Sequence, residues 1–452
     1  ALVNCNNEDN DIRKQSTELV LNFRDQDLFG FLNALLCVLQ NQSSDQIAKQ
    51  LALILACQTL EKIEIPDSTM FKFQFIENNS PSLLEKLLSE SISLLAAMPN
   101  LSANLFACVT TIVACYNENC DILPTLLQQL ETTTDYNFNM GAFYAFDNVT
   151  SEFELSPEIY QPILFKIFTI FGDQESPLEI KSLSLKVLSN LIDEIPDVFQ
   201  SEQNLETVMT VLKYSINEFD VKSSGYRCIS KLIASNFPVF EPIANEAISL
   251  SVADLDENSD NEPIVLSILF LIDNLSKEYE DDYNEARKEI LTQAFPSYFG
   301  SLLKIAASHD DNPSEPDTFN LSDESYATIS NIIGAIPDIA LGPIMEFGQT
   351  NIQSQEDALK EISLTLFSYV AYYYDNSEIV SNFLQLFPQI LDEPHPRVQE
   401  AALYLLQYII KRHYEVFKDQ ICSYSPNLVE MLSKQTDNYV VASQICITIS
   451  LI

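Results

Sequence analysis

The chain has 452 residues, of which 46% are hydrophobic, and a formal net charge of −41 from 24 Lys and Arg against 65 Asp and Glu. This much apolar material excludes a disordered acidic protein. The charge disfavours binding to nucleic acid phosphates or to anionic membranes and favours basic protein segments as partners. The apolar runs stop well short of the about 18 residues that a membrane span needs, so we predict no membrane insertion.

The two ends and the cysteines indicate the setting of the chain. It begins with ALVNCNNEDN, without the basic and apolar segments of a signal peptide, and it ends inside an apolar-periodic segment. We therefore interpret it as a fragment of a longer protein. Its nine cysteines are scattered and odd in number, which indicates reduced thiols in the cytosol or nucleus.

Glycine is scarce, and this points to an all-α fold. The chain has 8 glycines, where ordinary usage would give about 30. The chain therefore has too few glycines for many hairpin turns or for glycine-rich phosphate-binding loops. Helices joined by polar turns are favoured.

A proline recurs along the chain, opening an apolar helix or lying early in it. Its positions are Pro124, Pro162, Pro242, Pro296, Pro343, Pro388 and Pro426. Their spacing is 38 to 54 residues, except for one interval of 80 between Pro162 and Pro242, where one marker is missing. Proline is tolerated in a first helical turn. We name the helix that carries this proline the A helix of a repeating pair.

A second type of helix, the B helix, carries a long apolar stripe. Residues 398–410 place apolar side chains at i, i+3, i+4, i+7 and i+8, and residues 180–192 do so at i, i+3, i+7 and i+8, which in each case is one face of a helix. Pairs of about forty residues that alternate in this way predict an α-solenoid superhelix, in which each pair buries its apolar face against its neighbours. The B helices would line the concave face.

The stretch SHDDNPSEPDTFNLSDES, residues 308–325, interrupts this pattern with six carboxylates and no Lys or Arg. We predict a loop that joins the A and B helices of one pair and projects its carboxylates toward a basic ligand. These are Asp310, Asp311, Glu315, Asp317, Asp323 and Glu324. Glu361 and Glu400 on later B helices would extend the acidic track. A solvated linker is the alternative for the loop, and an ordinary exposed helix residue is the alternative for each glutamate.

The run formed by Asp392, Arg397, Val398, Ala401 and Ala402 resembles HEAT repeats. The order of the units, with LFGFLNALLCVLQNQSSDQIAKQLALILACQTL near the start and an acidic loop late in the array, resembles the N-terminal half of the importin-β (karyopherin-β) family. The resemblance implies one HEAT solenoid over residues 1–452, with ten to eleven helix pairs, truncated at its C-terminus. Residues 1–150 would bind Ran, 151–235 FG nucleoporins, and 236–452 the adaptor or cargo.

The same resemblance implies a function. The chain would be a monomeric nuclear import receptor that shuttles between cytoplasm and nucleus through the nuclear envelope. It would bind importin-α or basic cargo, RanGTP and FG nucleoporins. The chain lacks the family's inner-surface tryptophans, and Phe319 and Tyr404 stand at two of those positions. The groove for nucleoporin phenylalanines would be formed by Leu164, Phe165, Phe168, Val208 and Met209.

Nothing in the sequence indicates catalysis. The three histidines, His309, His395 and His413, lie far apart, and no HExxH, GxSxG or CxxC pattern occurs. We therefore predict no catalytic residue, no metal site and no cofactor, and we expect the histidines on the surface. The alternative function is a HEAT scaffold for another assembly, such as a phosphatase or a vesicle complex.

Overall fold

The protein is built from α-helices, as a computed structural model shows. The structure describes residues 2–6, 8–61, 81–114, 123–150, 155–278, 283–308, 320–390, 393–435 and 438–452. In this part of the chain every regular element is helical, with 21 α-helices and three short 3-10 helices at Leu2–Asn6, Pro196–Gln200 and Phe219–Val221. The helices form two compact units, residues 1–228 and 229–452.

The first unit contains eleven of these helices, the last of which ends beyond residue 228. They are α1 (Asn10–Gln26), α2 (Leu28–Gln40), α3 (Gln46–Glu61), α4 (Pro81–Leu94), α5 (Pro99–Ala114), α6 (Leu123–Thr132), α7 (Tyr136–Val149), α8 (Pro157–Gly172), α9 (Leu178–Glu194), α10 (Glu202–Asn217) and α11 (Lys222–Ser235).

The second unit contains the remaining ten described helices. They are α12 (Phe237–Glu257), α13 (Glu262–Ser276), α14 (Asn284–Ala307), α15 (Leu321–Ala335), α16 (Pro337–Asn351), α17 (Asp357–Tyr373), α18 (Ser377–Ile390), α19 (Pro396–Ser423), α20 (Ser425–Lys434) and α21 (Tyr439–Leu451). Helix α19 is kinked at Phe417, whose backbone is not helical.

The helices pack as consecutive pairs. After α1, each even-numbered helix is an A helix and each odd-numbered helix the B helix of its pair. Within the first unit α3, α5, α7 and α9 pack in sequence, and within the second α13, α15, α17, α19 and α21 do the same. The described residues thus hold ten pairs, which confirms the predicted all-α solenoid of HEAT-type pairs.

Side-chain hydrogen bonds between successive B helices show the period directly. The amide nitrogen of Asn190 donates to Asp147, 43 residues earlier, and that of Asn274 donates to Ser230, 44 residues earlier. The Asn331 amide donates to Asp273 over an interval of 58. The interval is longer there because the acidic stretch is inserted between α14 and α15.

The apolar stripes form the core, as the sequence predicts. On α19, Val398, Leu405 and Ile409 are at most 1% exposed, and the same face of α9 is buried from Ile180 to Ile192. Burial of such side chains contributes about 1.5 to 3 kcal/mol each.

The proline markers all lie in A helices, and α10, the A helix between Pro162 and Pro242, has none. Five of them lie beyond the first turn, which corrects the expectation: Pro162, Pro242, Pro296, Pro343 and Pro388. The shift is largest for Pro296, in the middle of α14, and for Pro388, near the end of α18. Interior proline is costly to a helix, so a position read from proline alone misplaces the start of these helices.

One histidine also differs from expectation. His413 is buried rather than on the surface, at 5% exposure, and its Nε2 lies 2.9 Å from the backbone oxygen of Ala371 on the neighbouring B helix. It continues the buried stripe of α19 one turn beyond Ile409. His395 lies in the turn before α19, as expected, and His309 lies outside the described residues.

Candidate functional site

The acidic stretch joins an A helix to its own B helix. Helix α14 ends at Ala307 and α15 begins at Leu321, capped by the Asn320 side chain, which accepts a hydrogen bond from the Ser322 nitrogen at 2.9 Å. Ser325 donates to the backbone oxygen of Leu302 at 2.8 Å, which holds the start of α15 against α14. The connection therefore lies within one pair, as the sequence predicts.

The predicted ligand-binding residues of this stretch fall into two groups. Asp323 and Glu324 belong to the first turn of α15 rather than to a loop, because the helix begins earlier than we predict. An acidic first turn favours that earlier start, since carboxylates interact well with a helix N-terminus. The others lie outside the described residues: Asp310, Asp311, Glu315, Asp317 and Phe319.

Three of the predicted carboxylates are brought together on successive B helices. Asp323 lies on α15, Glu361 on α17 and Glu400 on α19, each within the first five residues of its helix. The charges of Asp323 and Glu400 both act on Glu361. We call these three residues the acidic cluster.

Burial dominates the electrostatics of the acidic cluster. Glu361 is partly buried, and the loss of water around it raises its pKa to about 7, although Arg397 on α19 opposes this shift. Burial also raises the pKa of Glu400, against the hydrogen bond from Tyr404 and the charge of Arg397. The three carboxylates of the cluster therefore outnumber Arg397, the cation that acts on Glu361 and Glu400.

Tyrosines lie beside the acidic cluster. Tyr404 is 40% exposed. Its hydroxyl forms a hydrogen bond with the Glu400 side chain and accepts another from the Gln444 amide at 2.9 Å. One turn further along α19, the ring of Tyr408 meets that of Tyr372 on α17 edge-on, with centroids 5.3 Å apart. Aromatic faces next to carboxylates suit a ligand whose basic side chains have long apolar stems.

Two further residues of this surface are not assigned to it from the sequence. Tyr326 lies one turn after Asp323 on α15, and Arg397 lies one turn before Glu400 on α19. The charges of Arg397 and Glu361 both act on the Tyr326 hydroxyl. The i, i+3 spacing from Glu400 is the signal that could have found Arg397, whereas Tyr326 is identified only by the helices packed beside it.

The arrangement is suited to binding cationic side chains. Carboxylates and tyrosine hydroxyls accept hydrogen bonds from Lys and Arg side chains. In the described residues no group of three or more His, Cys, Asp or Glu side chains has the geometry to hold a metal ion. No helix in the described ranges has both the length and the apolar character to span a membrane.

The predicted nucleoporin residues lie on two neighbouring A helices. Leu164 and Val208 are buried, at 3% and 0% exposure, whereas Phe165 is 68% exposed; Phe168 and Met209 are intermediate. Only Phe165, Phe168 and Met209 of this predicted set are therefore accessible to a ligand.

The space beside Phe165 lies toward α6 rather than α10. A shallow pocket of about 460 Å³ is lined by Phe165, Pro162 and Gln161 of α8 and by Glu131 of α6. Its walls combine a phenyl ring and a proline with polar rims, which suits one small apolar side chain.

The B helices of the first unit also carry an open pocket. It has a volume of about 920 Å³ and lies between α7 and α9, with Tyr136, Glu179 and Lys186 among its lining residues. The Tyr136 hydroxyl donates to the Glu179 carboxylate at 2.9 Å. Burial and this bond raise the pKa of Tyr136 to about 12.

Several solved importin structures share this fold. The match to yeast importin-β, Kap95p, covers 100% of this chain and 60% of the Kap95p chain, with 14% sequence identity and a TM-score of 0.72. A structure of importin-β in ammonium sulfate matches 99% of this chain over 55% of its own, with 13% identity and a TM-score of 0.74. Kap121p bound to RanGTP matches 99% over 47%, with 16% identity and a TM-score of 0.56.

These matches confirm the resemblance to the importin-β family at the level of the fold. The chain spans about 60% or less of the length of these proteins. Other structures contain Kap95p with RanGDP and with Nup1. No protein-family model and no curated protein matches the chain.

Proposed function

We propose that this chain is part of a nuclear transport receptor of the importin-β type, which acts by binding and not by catalysis. The observation that carries the proposal is the acidic cluster, three carboxylates on three successive B helices of an importin-like solenoid. A basic segment that follows the B helices can contact them one after another. Each exposed contact contributes about 0.2 to 1 kcal/mol, so affinity comes from their sum.

The proposed partners follow the three parts of the chain. Residues 236–452 would bind importin-α or basic cargo, 1–150 RanGTP and 151–235 FG nucleoporins. Support comes from the net charge of −41, from the exposed Phe165 and from the Ran and Nup1 complexes of proteins with this fold. Such a receptor would be a monomer that shuttles between cytoplasm and nucleus.

Ran distinguishes this function from a HEAT scaffold for a phosphatase or vesicle complex. We expect the chain to bind Ran loaded with a non-hydrolysable GTP analogue at least about tenfold more tightly than RanGDP, because a receptor of this type must distinguish the two nucleotide states of Ran. Surface plasmon resonance with both nucleotide forms measures the ratio. Equal affinities would favour the scaffold.

The nucleoporin site predicts a smaller effect. Phe165→Ala should weaken the binding of an FG-repeat peptide by about three- to tenfold, because a ring contact contributes about 0.5 to 1.5 kcal/mol. Fluorescence anisotropy of a labelled peptide provides the measurement. Phe219→Ala is the matched control, since Phe219 is 49% exposed elsewhere in the first unit. The same loss in both variants would contradict the site.

A further inference from the structure

Two cations on the C-terminal half of α19 lack a carboxylate partner. Lys411 and Arg412 are both exposed, and among the described residues neither forms an ion pair with Asp or Glu. Acidic side chains outnumber basic ones by 65 to 24 in this chain, so an exposed cation would ordinarily find a carboxylate. Here both cations lie on tyrosine rings instead.

Tyr372 on α17 fixes the guanidinium group of Arg412. The Arg412 Nε donates a hydrogen bond to the backbone oxygen of Tyr372 at 3.1 Å, and the guanidinium carbon lies 5.2 Å from the centroid of the Tyr372 ring. These two contacts set the orientation of the planar group in the free protein. Its two Nη groups make no hydrogen bond within the described residues, so their donors are available to a ligand.

A second tyrosine lies under Lys411. The Lys411 Nζ is 5.5 Å from the ring centroid of Tyr408, and the Tyr408 ring in turn meets that of Tyr372. Tyr373 also contacts the Tyr372 ring edge-on, with centroids 5.0 Å apart. One group of aromatic rings therefore holds both cations next to each other.

The surface of α19 changes its charge between Tyr404 and Tyr408. The charges of Glu400 and Asp323 both act on the Tyr404 hydroxyl. One turn later, burial raises the pKa of Tyr408 with Tyr372 and Tyr373 as the contributing neighbours, and no carboxylate of the described residues adds to that shift. The two cations thus lie beyond the acidic cluster.

An exposed valine completes this surface. Val416 is 65% exposed and lies one turn after Arg412, and Tyr372 is 38% exposed. We call Tyr372, Tyr408, Lys411, Arg412 and Val416 the Tyr–Arg platform. It combines an oriented guanidinium, a second cation and apolar area, which together suit a carboxylate that lies beside an apolar side chain.

We propose that the Tyr–Arg platform binds a short acidic peptide segment of a partner protein. A ligand carboxylate accepts hydrogen bonds from the two Nη groups of Arg412, with the charge of Lys411 beside it, and an apolar side chain of the ligand covers Val416. This inference goes beyond the proposed function, in which the chain binds basic segments.

The rest of the chain limits which anion can bind. A net charge of −41 repels anions, and this repulsion grows with the total charge of the ligand, whereas contact with Arg412 and Lys411 needs only one or two carboxylates. Nucleic acid, with one negative charge per about 1.7 Å of duplex, is repelled much more strongly than a short peptide. A peptide segment with few acidic residues is therefore the favoured occupant.

Fluorescence anisotropy with the full chain tests the proposal. The probe is a labelled peptide with capped ends that contains Glu and Leu but no Lys, Arg or His. Arg412→Gln should weaken its binding by about tenfold, because a charge-assisted contact is lost. Arg227→Gln, at an exposed arginine on α11, makes the same change in net charge and should alter the affinity by less than about twofold. Equal losses in the two variants would overturn the proposal.

Two further variants test the geometry of the contact. Arg412→Lys keeps the charge but removes the planar fork, and it should weaken binding by about three- to fivefold. Tyr372→Leu removes the ring that orients the guanidinium and should weaken binding by about threefold. Because Arg412 is exposed, its variants should shift Tm by no more than about 2 °C. Wild-type affinity in both Arg412→Lys and Tyr372→Leu would overturn the proposed contact.

Other ligands show whether the platform selects carboxylates. The same peptide with Gln in place of Glu should bind at least about tenfold more weakly, and so should a single-stranded oligonucleotide. Tighter binding of the oligonucleotide would assign the platform to nucleic acid and overturn the proposal. Failure of the Glu peptide to bind would overturn it as well and would leave the proposed function untouched, because the Ran and basic-peptide measurements do not involve this probe.

Discussion

Replacement of both Glu361 and Glu400 with lysine is expected to weaken the binding of a basic peptide by about 100-fold. Each change turns an attraction into a repulsion, and a shift of about 1.4 kcal/mol per site is tenfold. Both side chains are partly buried, so their charges are less screened than those on an open surface. Fluorescence anisotropy with a labelled peptide at low and moderate salt measures the loss.

Two sets of controls make this result specific. Glu346→Lys with Glu378→Lys gives the same change in net charge at exposed positions on the A helices α16 and α18. That variant should lose less than threefold in affinity, because distant exposed charges are screened. A loss as large as that of the cluster variant would mean that net charge alone attracts the peptide. Glu361→Gln with Glu400→Gln, which adds no repulsion, should fall between the two.

Phe367→Ala is expected to destabilise the second unit by about 3 to 5 kcal/mol, the usual cost of removing a buried phenyl ring. Phe367 on α17 is 1% exposed, and its ring stacks on that of Phe383 on α18 with centroids 4.5 Å apart. Gly348 on α16 leaves room for it, since a Cβ there would lie 2.2 Å from the Phe367 ring. Urea unfolding followed by circular dichroism measures the change.

An exposed phenylalanine provides the comparison. Phe165→Ala removes the same side chain at 68% exposure and should change the free energy of unfolding by about 0.5 kcal/mol or less. Gly348→Ala should also destabilise, by about 1 to 3 kcal/mol, because the added methyl group meets the Phe367 ring. Equal stability of the wild type and the Phe367→Ala protein would contradict this packing.

The fold could be predicted from the sequence because its signals are local. The buried stripe of α19 repeats at i, i+3 and i+4, and this spacing needs no knowledge of any other helix. Helix boundaries were harder to predict. The prolines mark the A helices, but Pro296 and Pro388 lie well inside theirs, where tertiary packing outweighs the local preference of proline for a first turn.

The site could be predicted only in part. The sequence identified Glu361 and Glu400 as B-helix carboxylates, but the importance of Tyr326 depends on the helices beside it, and no spacing along one helix reveals that. His413 was wrongly expected on the surface, because the Ala371 oxygen that faces its ring comes from 42 residues earlier. Which helices become neighbours must therefore be known before such residues can be interpreted.

The regular interval between hydrogen-bonded B helices has a consequence for synthesis. Asn190 reaches back 43 residues and Gln444 reaches back 40, so the contacts that complete one pair involve the pair just made. Closing segments of this length is fast and does not become harder as the chain grows. Pairs can thus acquire their structure one by one as they leave the ribosome. Even at the acidic insertion, where the interval reaches 58, closure costs only about 0.3 kcal/mol more than over 43 residues.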